Sequence, residues 1–403
     1  MKHRVVRAAA ISLLGLSAGY PAEAETLAQD SACRPLTCST LLPAPTPEDP
    51  ATNDCGYRNG NAWWLDHVAA PLAWAQTGPR EPVTVAVFDD GADIGHIELR
   101  NQLWTNTAEA NGAPGVDDDG NGYVDDIHGW DFVDDDPVVE PEGECRGRAS
   151  HGTFMASLIA AERNNGVGIA AAGSEGARVM IVRVVGCGRH GQDRVDPPRL
   201  REALDYATRM GAKILSFSAH WHATTDELDR AFEEIADRPD SDRPAIVVAS
   251  VPSRGEPAVG YPAAYRFQRI VRAVPIDDDD IIAPGTSPAP PGLNFGVPGA
   301  CIVGATAAPS GFALGHGSSN AAAILAGLLA GLWASPPYAK LSVDEFLARV
   351  VRGEMSRTWR RSKPGPRAPY LEGVPLADAC PLATAQSSAN VCRRPESHRE
   401  PRP

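Results

Sequence analysis

The chain has 403 residues, a formal net charge of −14 and 43% hydrophobic residues. This length is enough for one large or two medium domains with a buried core. The negative charge argues against nucleic acid or an anionic membrane surface as the main partner, because both would repel it.

The first 24 residues have the order of features that is typical of an export signal. A basic segment at residues 2–7 precedes an apolar run that is too short to span a bilayer, and AEA at residues 22–24 fits a cleavage site. We therefore expect a signal peptide over residues 1–24 and a secreted or periplasmic mature protein. No later apolar stretch reaches about 18 residues, so we expect no membrane span.

Eight cysteines follow the predicted cleavage site, and none of them forms a Cys-x-x-Cys pair. An even number of cysteines in an exported chain favours disulfide bonds over metal ligation or thiol catalysis. We expect four bridges, with the pairing left open by the sequence. Residues 25–60 are rich in Pro, Thr, Asp and Asn and are predicted to form a loop-like extension tied down by cysteines. The eight are Cys33, Cys38, Cys55, Cys145, Cys187, Cys301, Cys380 and Cys392.

Residues 61–385 are predicted to form a single catalytic domain of the α/β class. Apolar runs that predict buried strands alternate with helical patterns, which favours a parallel central sheet with helices on both faces. Catalytic groups then belong at the carboxyl ends of the strands. The polar segment 386–403 is expected to be a mobile tail. The predicted strands are residues 83–88, 179–185, 213–217, 246–249 and 270–274, and the predicted helices are residues 153–162, 198–210 and 225–236.

Three motifs place an acid, a base and a nucleophile at the ends of predicted elements. VAVFDDG carries Asp89 where a buried strand ends, and HGT carries His151 where a helix starts. GHGSSNAAA carries Ser319 at the start of a buried helix, where backbone N–H groups and the helix dipole favour a developing oxyanion. Each motif alone has an ordinary interpretation, namely an acidic turn, a surface histidine and an N-cap serine. Together they follow the Asp, His, Ser order of one serine peptidase type.

The same segments resemble the sequence blocks of the subtilisin-like serine peptidases (subtilases). VAVFDDGADIGHIEL is similar to the family's Asp block, HGTFMASLIAA to its His block and GSSNAAAILAG to its Ser block. Connecting segments such as WLDHVAAPLAWAQTG and YPAAY follow the family's order too, over roughly residues 60–385.

The resemblance implies a serine endopeptidase that hydrolyses peptide bonds. Ser319 would attack the scissile carbonyl, His151 would transfer the proton, and Asp89 would orient the imidazole and stabilise its cation. The implied partner is a peptide or protein substrate, and we expect a monomer.

Several positions depart from the family pattern near the predicted nucleophile. Ser253 stands where the family has its oxyanion asparagine, and losing one such donor costs about 10² to 10³ in kcat. Ser218, Ala219 and His220 replace the Ser-Leu-Gly wall of the substrate cleft, so we expect a narrower cleft. Asn320 replaces a methionine beside the nucleophile. We therefore expect a selective or slow peptidase, and the alternative is a catalytically impaired pseudopeptidase that binds peptide segments.

An Asp-rich segment, DDDGNGYVDD at residues 117–126, predicts a structural calcium site. Oxygen ligands at alternate positions followed by glycine match the start of an EF-hand loop, while His128 at position 12 excludes a complete one. An acidic surface loop is the alternative, and a calcium-binding module without enzymatic function would leave the three motifs unexplained. The resemblance to bacterial subtilases also implies calcium. The expected ligands are Asp117, Asp119, Asn121 and Asp126.

The resemblance implies one disulfide bond. Exported subtilases with a similar pattern pair the positions of Cys145 and Cys187, which would brace the loop that carries His151. A pair of free thiols is the alternative. The other six cysteines still allow about 15 pairings, and their connectivity stays open.

Overall fold

A computed structural model describes most of the chain between residues 52 and 355. Gaps lie at residues 59, 76–79, 143–149, 189–190, 240, 253–259, 308–310 and 337, and the side chains of residues 72, 187–194 and 353–354 are not described. The predicted signal peptide, most of the extension and the predicted tail lie outside the described residues. Ser253, Cys145 and the side chain of Cys187 lie outside them as well.

Seven strands form one parallel sheet, in which every neighbouring pair runs in the same direction. Four further strands form two separate pairs. In chain order, all the strands of the described residues are β1 Val83–Asp89, β2 Gly129–Asp131, β3 Ala177–Arg183, β4 Val185–Gly188, β5 Gly191–Arg194, β6 Ile214–Phe217, β7 Ile246–Ser250, β8 Ile270–Ile276, β9 Leu293–Pro298, β10 Ile302–Ala305 and β11 Phe312–Gly315. The order across the sheet is β2-β3-β1-β6-β7-β8-β9, while β4–β5 and β10–β11 are antiparallel pairs. The five predicted strands are confirmed, and β2 and β9 join them at the two edges.

Helices precede, connect and follow these strands. They are α1 Cys55–Arg58, α2 Trp63–His67, α3 Ala70–Trp74, α4 Thr107–Asn111, α5 His151–Ala160, α6 Pro197–Arg209, α7 Asp226–Ala236, α8 Ser318–Trp333 and α9 Val343–Phe346, followed by a π-helical segment Leu347–Glu354. The three predicted helices correspond to α5, α6 and α7. Among the described residues, none of the helices combines the length and the apolar character that a membrane crossing needs.

Two apolar clusters show that helices cover both faces of the sheet. On one face, Ile159 of α5 and Leu325 of α8 are buried in the same cluster as Val85 of β1. On the other face, the residues of α6 and α7 pack against a stacked pair of rings, Phe88 and Phe217, whose centroids lie 4.4 Å apart. Burial on both faces explains why the strands are almost entirely apolar. The predicted α/β class, with helices on both faces of a parallel sheet, is confirmed.

The helices α5 and α8 approach each other at backbone distance. A Cβ atom at Gly327 would lie 2.5 Å from the carbonyl oxygen of Ile159, so only glycine fits at this crossing. Both helices begin at the carboxyl edge of the sheet, since His151 contacts Asp89 at the end of β1 and Ser319 contacts Ser218 just after β6. The first residues of both helices therefore lie at the edge where α/β proteins place their ligands.

The helices differ in whether a side chain accepts a backbone N–H of their first turn. In most of the helices that contact the sheet or its loops, the side chain of the N-cap residue accepts a backbone N–H: Asn106 for α4, Ser150 for α5, Asp196 for α6, Thr225 for α7 and Ser342 for α9. The N-cap residue of α8 is Gly317, and no side-chain cap is formed there. The long helix α8 thus begins with an open first turn.

The described end of the predicted extension, residues 52–58, docks onto the domain through Asp54. Its buried carboxylate accepts three backbone N–H groups from a turn after α5, and burial raises the pKa of Asp54. Hydrogen bonds of this kind satisfy the carboxylate inside the protein and fix the extension to the domain. The donors are Asn164 at 2.9 Å, Asn165 at 3.1 Å and Gly166 at 3.2 Å.

Candidate active site

Asp89 and His151 form a close pair at the carboxyl edge of the sheet. Asp89 is the last residue of β1, and its Oδ1 and Oδ2 atoms lie 2.8 and 2.9 Å from Nδ1 of His151, the first residue of α5. The Asp89 side chain is 5% exposed and the His151 side chain is 36% exposed. A buried carboxylate therefore contacts Nδ1 of a ring that is partly exposed to solvent, and this contact favours the tautomer with its proton on Nδ1.

Ser319, the second residue of α8, is tied to the end of β6. Its Oγ donates to the carbonyl oxygen of Ser218 at 3.4 Å, and Ser218 Oγ donates back to the carbonyl oxygen of Ser319 at 3.3 Å. Within the described residues, the Ser319 hydroxyl bonds to Ser218 and not to His151. Catalytic hydrogen bonds are often long or misaligned without substrate, so this arrangement is compatible with a nucleophile.

The open first turn of α8 lies directly beside the Ser319 hydroxyl. Gly317 adopts φ +146° and donates its N–H to Gly299 O at 2.8 Å, and no side chain caps the turn that follows. First-turn N–H groups have no partner inside their own helix and carry the positive end of the helix dipole. This end of α8 can therefore stabilise negative charge that develops next to Ser319. Ser253, the expected second donor, lies outside the described residues.

Asp90 is a neighbour of this pair to which the sequence motifs assign no role. Asp90 is 3% exposed, and its carboxylate accepts the N–H of Gly152 at 2.7 Å, the N–H of His151 at 3.2 Å and the Oγ–H of Ser150 at 3.2 Å. Burial and the adjacent Asp89 raise the pKa of Asp90 to about 6, against the opposing effects of His151 and the two N–H groups. Asp90 thus contacts the backbone of His151, and Asp89 contacts the ring of the same residue.

The predicted cleft residues Ser218, Ala219 and His220 follow β6 and are buried. Nε2 of His220 lies 2.8 Å from the carbonyl oxygen and 3.1 Å from Oγ of Ser250, at the end of β7. A Cβ atom at Gly260 would lie 3.3 Å from the ring. The ring is therefore enclosed between β7 and Gly260, and the narrowing of a substrate cleft by this segment stays a prediction.

The Asp-rich loop brings three carboxylates together. Oxygen atoms of Glu109, Asp119 and Asp126 all lie within 4.8 Å of one another. Asn106 Nδ2 donates to Asp119 at 2.9 Å and to Asp126 at 2.7 Å, and burial raises the pKa of Asp126 to about 6. Clustered carboxylate oxygens suit a hard cation such as Ca²⁺. Glu109 lies on α4 outside the motif, so the motif spacing could not reveal it.

The other two expected ligands are placed differently. The carboxylate of Asp117 accepts the N–H groups of Asn121 at 3.1 Å and Gly122 at 2.9 Å and does not belong to the group of three. Asn121 adjoins that group, but through its Nδ2, which donates to Asp119 and Asp126 at 3.1 Å each. Ligation by Asp117 and Asn121 stays a prediction.

The predicted pair Cys145–Cys187 cannot be located, because Cys145 and the side chain of Cys187 lie outside the described residues. Cys55 in α1 and Cys301 just before β10 are both disulfide-bonded. The connectivity expected near His151 stays a prediction.

A parallel α/β domain with Asp, His and Ser at the carboxyl edge of its sheet has the organisation of a serine peptidase domain of the subtilisin type. The sequence model of the subtilase family, peptidase S8, matches residues 80–370. This match includes β1, α5 and α8 and covers most of the chain. The chain belongs to the subtilase family.

Curated relatives agree with this assignment over parts of their length. Subtilisin-like protease 1 of Plasmodium vivax is 38% identical over 98 residues, which are 24% of this chain and 14% of that protein. The major intracellular serine protease of Bacillus subtilis (strain 168) is 27% identical over 235 residues, 54% of this chain and 62% of that protein. Thermitase of Thermoactinomyces vulgaris is 26% identical over 252 residues, 60% of this chain and 74% of that protein. The chain thus spans a small part of the first relative and more than half of the other two.

Proposed function

We propose that the chain is an exported serine endopeptidase that hydrolyses peptide bonds with Asp89, His151 and Ser319. The observation that carries the proposal is the 2.8 Å contact between the buried Asp89 carboxylate and His151 Nδ1, at the edge where α8 presents Ser319. Membership of the subtilase family and the names of the relatives, all of them proteases, support the reaction class. The proposed substrate is a peptide or protein, and the proposed state is a monomer.

Each residue has one role in the proposed reaction. The Oγ of Ser319 attacks the scissile carbonyl carbon while Nε2 of His151 takes its proton, and Asp89 stabilises the imidazolium that forms. His151 then gives the proton to the leaving amine nitrogen, and a water molecule hydrolyses the acyl-enzyme by the same two steps. The oxyanion would lie beside the open first turn of α8. To react, the Ser319 hydroxyl has to exchange its hydrogen bond to Ser218 for one to His151.

We propose that turnover is slow or restricted to few substrates. Serine at position 253 replaces the amide donor that the family uses, so one of two expected oxyanion donors is short or missing. The hydrogen bond from Ser319 to Ser218 has to be exchanged for one to His151 in every cycle.

A pseudopeptidase that binds peptide segments without turnover is the second candidate. The specific observation in its favour is the Ser319 hydroxyl, which donates to Ser218 and is not activated by His151 within the described residues. The intact Asp89–His151 contact favours the first candidate, because a protein that only binds peptides does not need it.

Labelling with a fluorophosphonate probe distinguishes the two candidates. The protein should be tested with intact disulfides and calcium, beside the Ser319→Ala variant and the matched Ser318→Ala variant. We expect wild type and Ser318→Ala to be labelled and Ser319→Ala to stay unlabelled, because only an activated serine reacts. Failure of the wild type to react would contradict the peptidase proposal, and peptide binding measured on that protein would then test the second candidate.

We propose that Glu109, Asp119 and Asp126 hold a structural calcium ion, with Asp117 and Asn121 next to them. Three carboxylates with amide neighbours form a donor set for a hard cation, and a bound ion would stabilise the folded state by about 2.7 kcal/mol at 100 times its Kd. Chelation should therefore lower the melting temperature by several degrees, and Asp126→Asn should remove most of that difference. A melting temperature that does not respond to chelator would contradict the site.

We also propose that residues 1–24 direct export to the periplasm or medium. The order of basic, apolar and small residues supports this, as does the even number of cysteines. N-terminal sequencing of the exported protein should begin at Glu25. A mature protein that retains Met1 would contradict the proposal.

A further inference from the structure

We propose that Asp90 is a positioning residue, whose carboxylate binds the first turn of α5 and thereby fixes His151 against Asp89. The inference rests on the proposed peptidase function and extends it to a residue outside the triad. Asp89 and Asp90 are consecutive residues at the end of β1, and they contact the ring and the backbone of the same histidine.

The contacts of Asp90 are specific to the start of the helix. Oδ1 accepts the Gly152 N–H at 2.7 Å and Oδ2 accepts the His151 N–H at 3.2 Å, so both oxygens are used on consecutive residues. Ser150 adds its hydroxyl to Oδ1 at 3.2 Å. Two of the first-turn N–H groups, which have no partner inside the helix, are thereby satisfied by one side chain from another element.

The start of α5 packs directly against the turn that follows β1. A Cβ atom at Gly152 would lie 2.1 Å from Gly91 O and 3.1 Å from Asp90 Oδ1. Gly91 has φ +94° and turns the chain directly under the helix. The start of α5 therefore packs on this short turn, and the Asp90 carboxylate binds it through hydrogen bonds to the N–H groups of His151 and Gly152.

This attachment depends on the ionised form of Asp90. A carboxylate accepts with both oxygens, whereas a carboxylic acid must use one oxygen as a donor and cannot serve two N–H groups equally well. Asp89 on β1 and His151 on α5 are two charged groups that face Asp90. Burial and Asp89 favour its neutral form, whereas an imidazolium at His151 favours the ionised form.

Activity should consequently depend on two protonations at the acid side. The pKa of Asp90 is raised to about 6, so above this pH the carboxylate holds α5, and below it the attachment is lost. Protonation of His151 removes the general base independently. Because each of the two protonations lowers activity, the logarithm of kcat/KM should fall with a limiting slope of about two in acid.

The test compares kcat/KM on a peptide substrate between pH 4.5 and 8.5 for wild type, Asp90→Asn, Asp90→Ser and the control Asp93→Asn. Asp93 is a carboxylate of the same turn whose side chain accepts only the Gly95 N–H among the described residues. We expect the slope to fall to about one in both Asp90 variants and to stay at two in Asp93→Asn. At pH 7.5 the Asp90 variants should lose about tenfold in kcat with KM nearly unchanged, because His151 is misplaced rather than substrate binding weakened.

A second readout needs no turnover and keeps the two proposals separable. In the Ser319→Ala background, the His151 imidazole resonance should show two inflections with pH, and adding Asp90→Asn should leave one. Wild-type activity and slope in folded Asp90 variants, or two inflections that persist without Asp90, would overturn the inference. A wild type without turnover would contradict the proposed function alone, and the resonance would still decide the role of Asp90.

Discussion

The two helices that carry His151 and Ser319 begin in opposite ways. The first turn of α5 is closed, because Ser150 accepts one of its N–H groups and Asp90 accepts two more. The first turn of α8 is open, because Gly317 has no side chain to cap it. A satisfied turn holds its residue in place, whereas an unsatisfied one attracts negative charge. The start of α5 is therefore suited to holding His151 in position, and the start of α8 is suited to stabilising negative charge.

The largest expected effect comes from lifting the closed turn away from β1. In Gly152→Ala the new Cβ would lie 2.1 Å from Gly91 O, so α5 must move and take His151 with it. Since a displacement of about 1 Å can cost about 10²-fold in rate, kcat/KM should fall by at least that factor. Gly95→Ala is the matched control, because its Cβ would meet only the Asp93 side chain at 3.4 Å. Activity retained in Gly152→Ala would show that the turn does not position the histidine.

The second prediction concerns the donors that the open turn of α8 does not supply. Ser253→Asn restores the amide of the family pattern and should raise kcat by about tenfold or more, because a second oxyanion donor is gained. Ser253→Ala measures what the native hydroxyl contributes. If the asparagine variant is no faster than the alanine variant, the second donor comes from elsewhere, and the open turn contributes more than we assign to it.

The smallest effect should come from removing the cap of α5 while Asp90 remains. Ser150→Ala loses a buried N-cap, which costs about 1 kcal/mol and lowers the melting temperature by about 2–4 °C. Thr225→Ala removes the corresponding cap of α7, away from His151, and should cost a similar amount. Activity should change less than about threefold in both variants, because Asp90 still binds the first turn. A large loss of activity in Ser150→Ala alone would transfer the positioning role from Asp90 to Ser150.

The sheet was predictable where the local sequence carries a strong signal. Strands such as β1 and β7 are buried on both faces, so they must be continuous apolar runs. The edge strand β2 has only three residues and no such run. Its position depends on Gly129, where a Cβ atom would lie 1.8 Å from Ile181 O of β3, and no local pattern reports this close approach.

In the candidate site too, residues within local motifs could be located from the sequence, whereas contacts between distant residues could not. The positions of Asp89, His151 and Ser319 at the ends of a strand and the starts of two helices could be predicted from the motifs, whereas their catalytic roles stay a prediction. The contact of Asp90 with α5 joins residues 61 positions apart, and the sequence does not tell in which direction the second of two adjacent carboxylates points. Glu109 was missed for a related reason, since it reaches the Asp-rich loop from a separate helix.

The crossing of α5 and α8 determines the relative direction of the two helices that carry His151 and Ser319. Ile159 lies eight positions after His151 and Gly327 lies eight positions after Ser319, so at 1.5 Å per residue the crossing point is about 12 Å from both proposed catalytic residues. The two helix segments between the crossing point and these residues are therefore of equal length. A change of about 5° in the direction of one helix displaces its first residues by about 1 Å, and a displacement of this size can change a rate by about 10²-fold. A single methyl group added at Gly327 would therefore change the angle between the two helices and displace their first residues, although the change lies about 12 Å away.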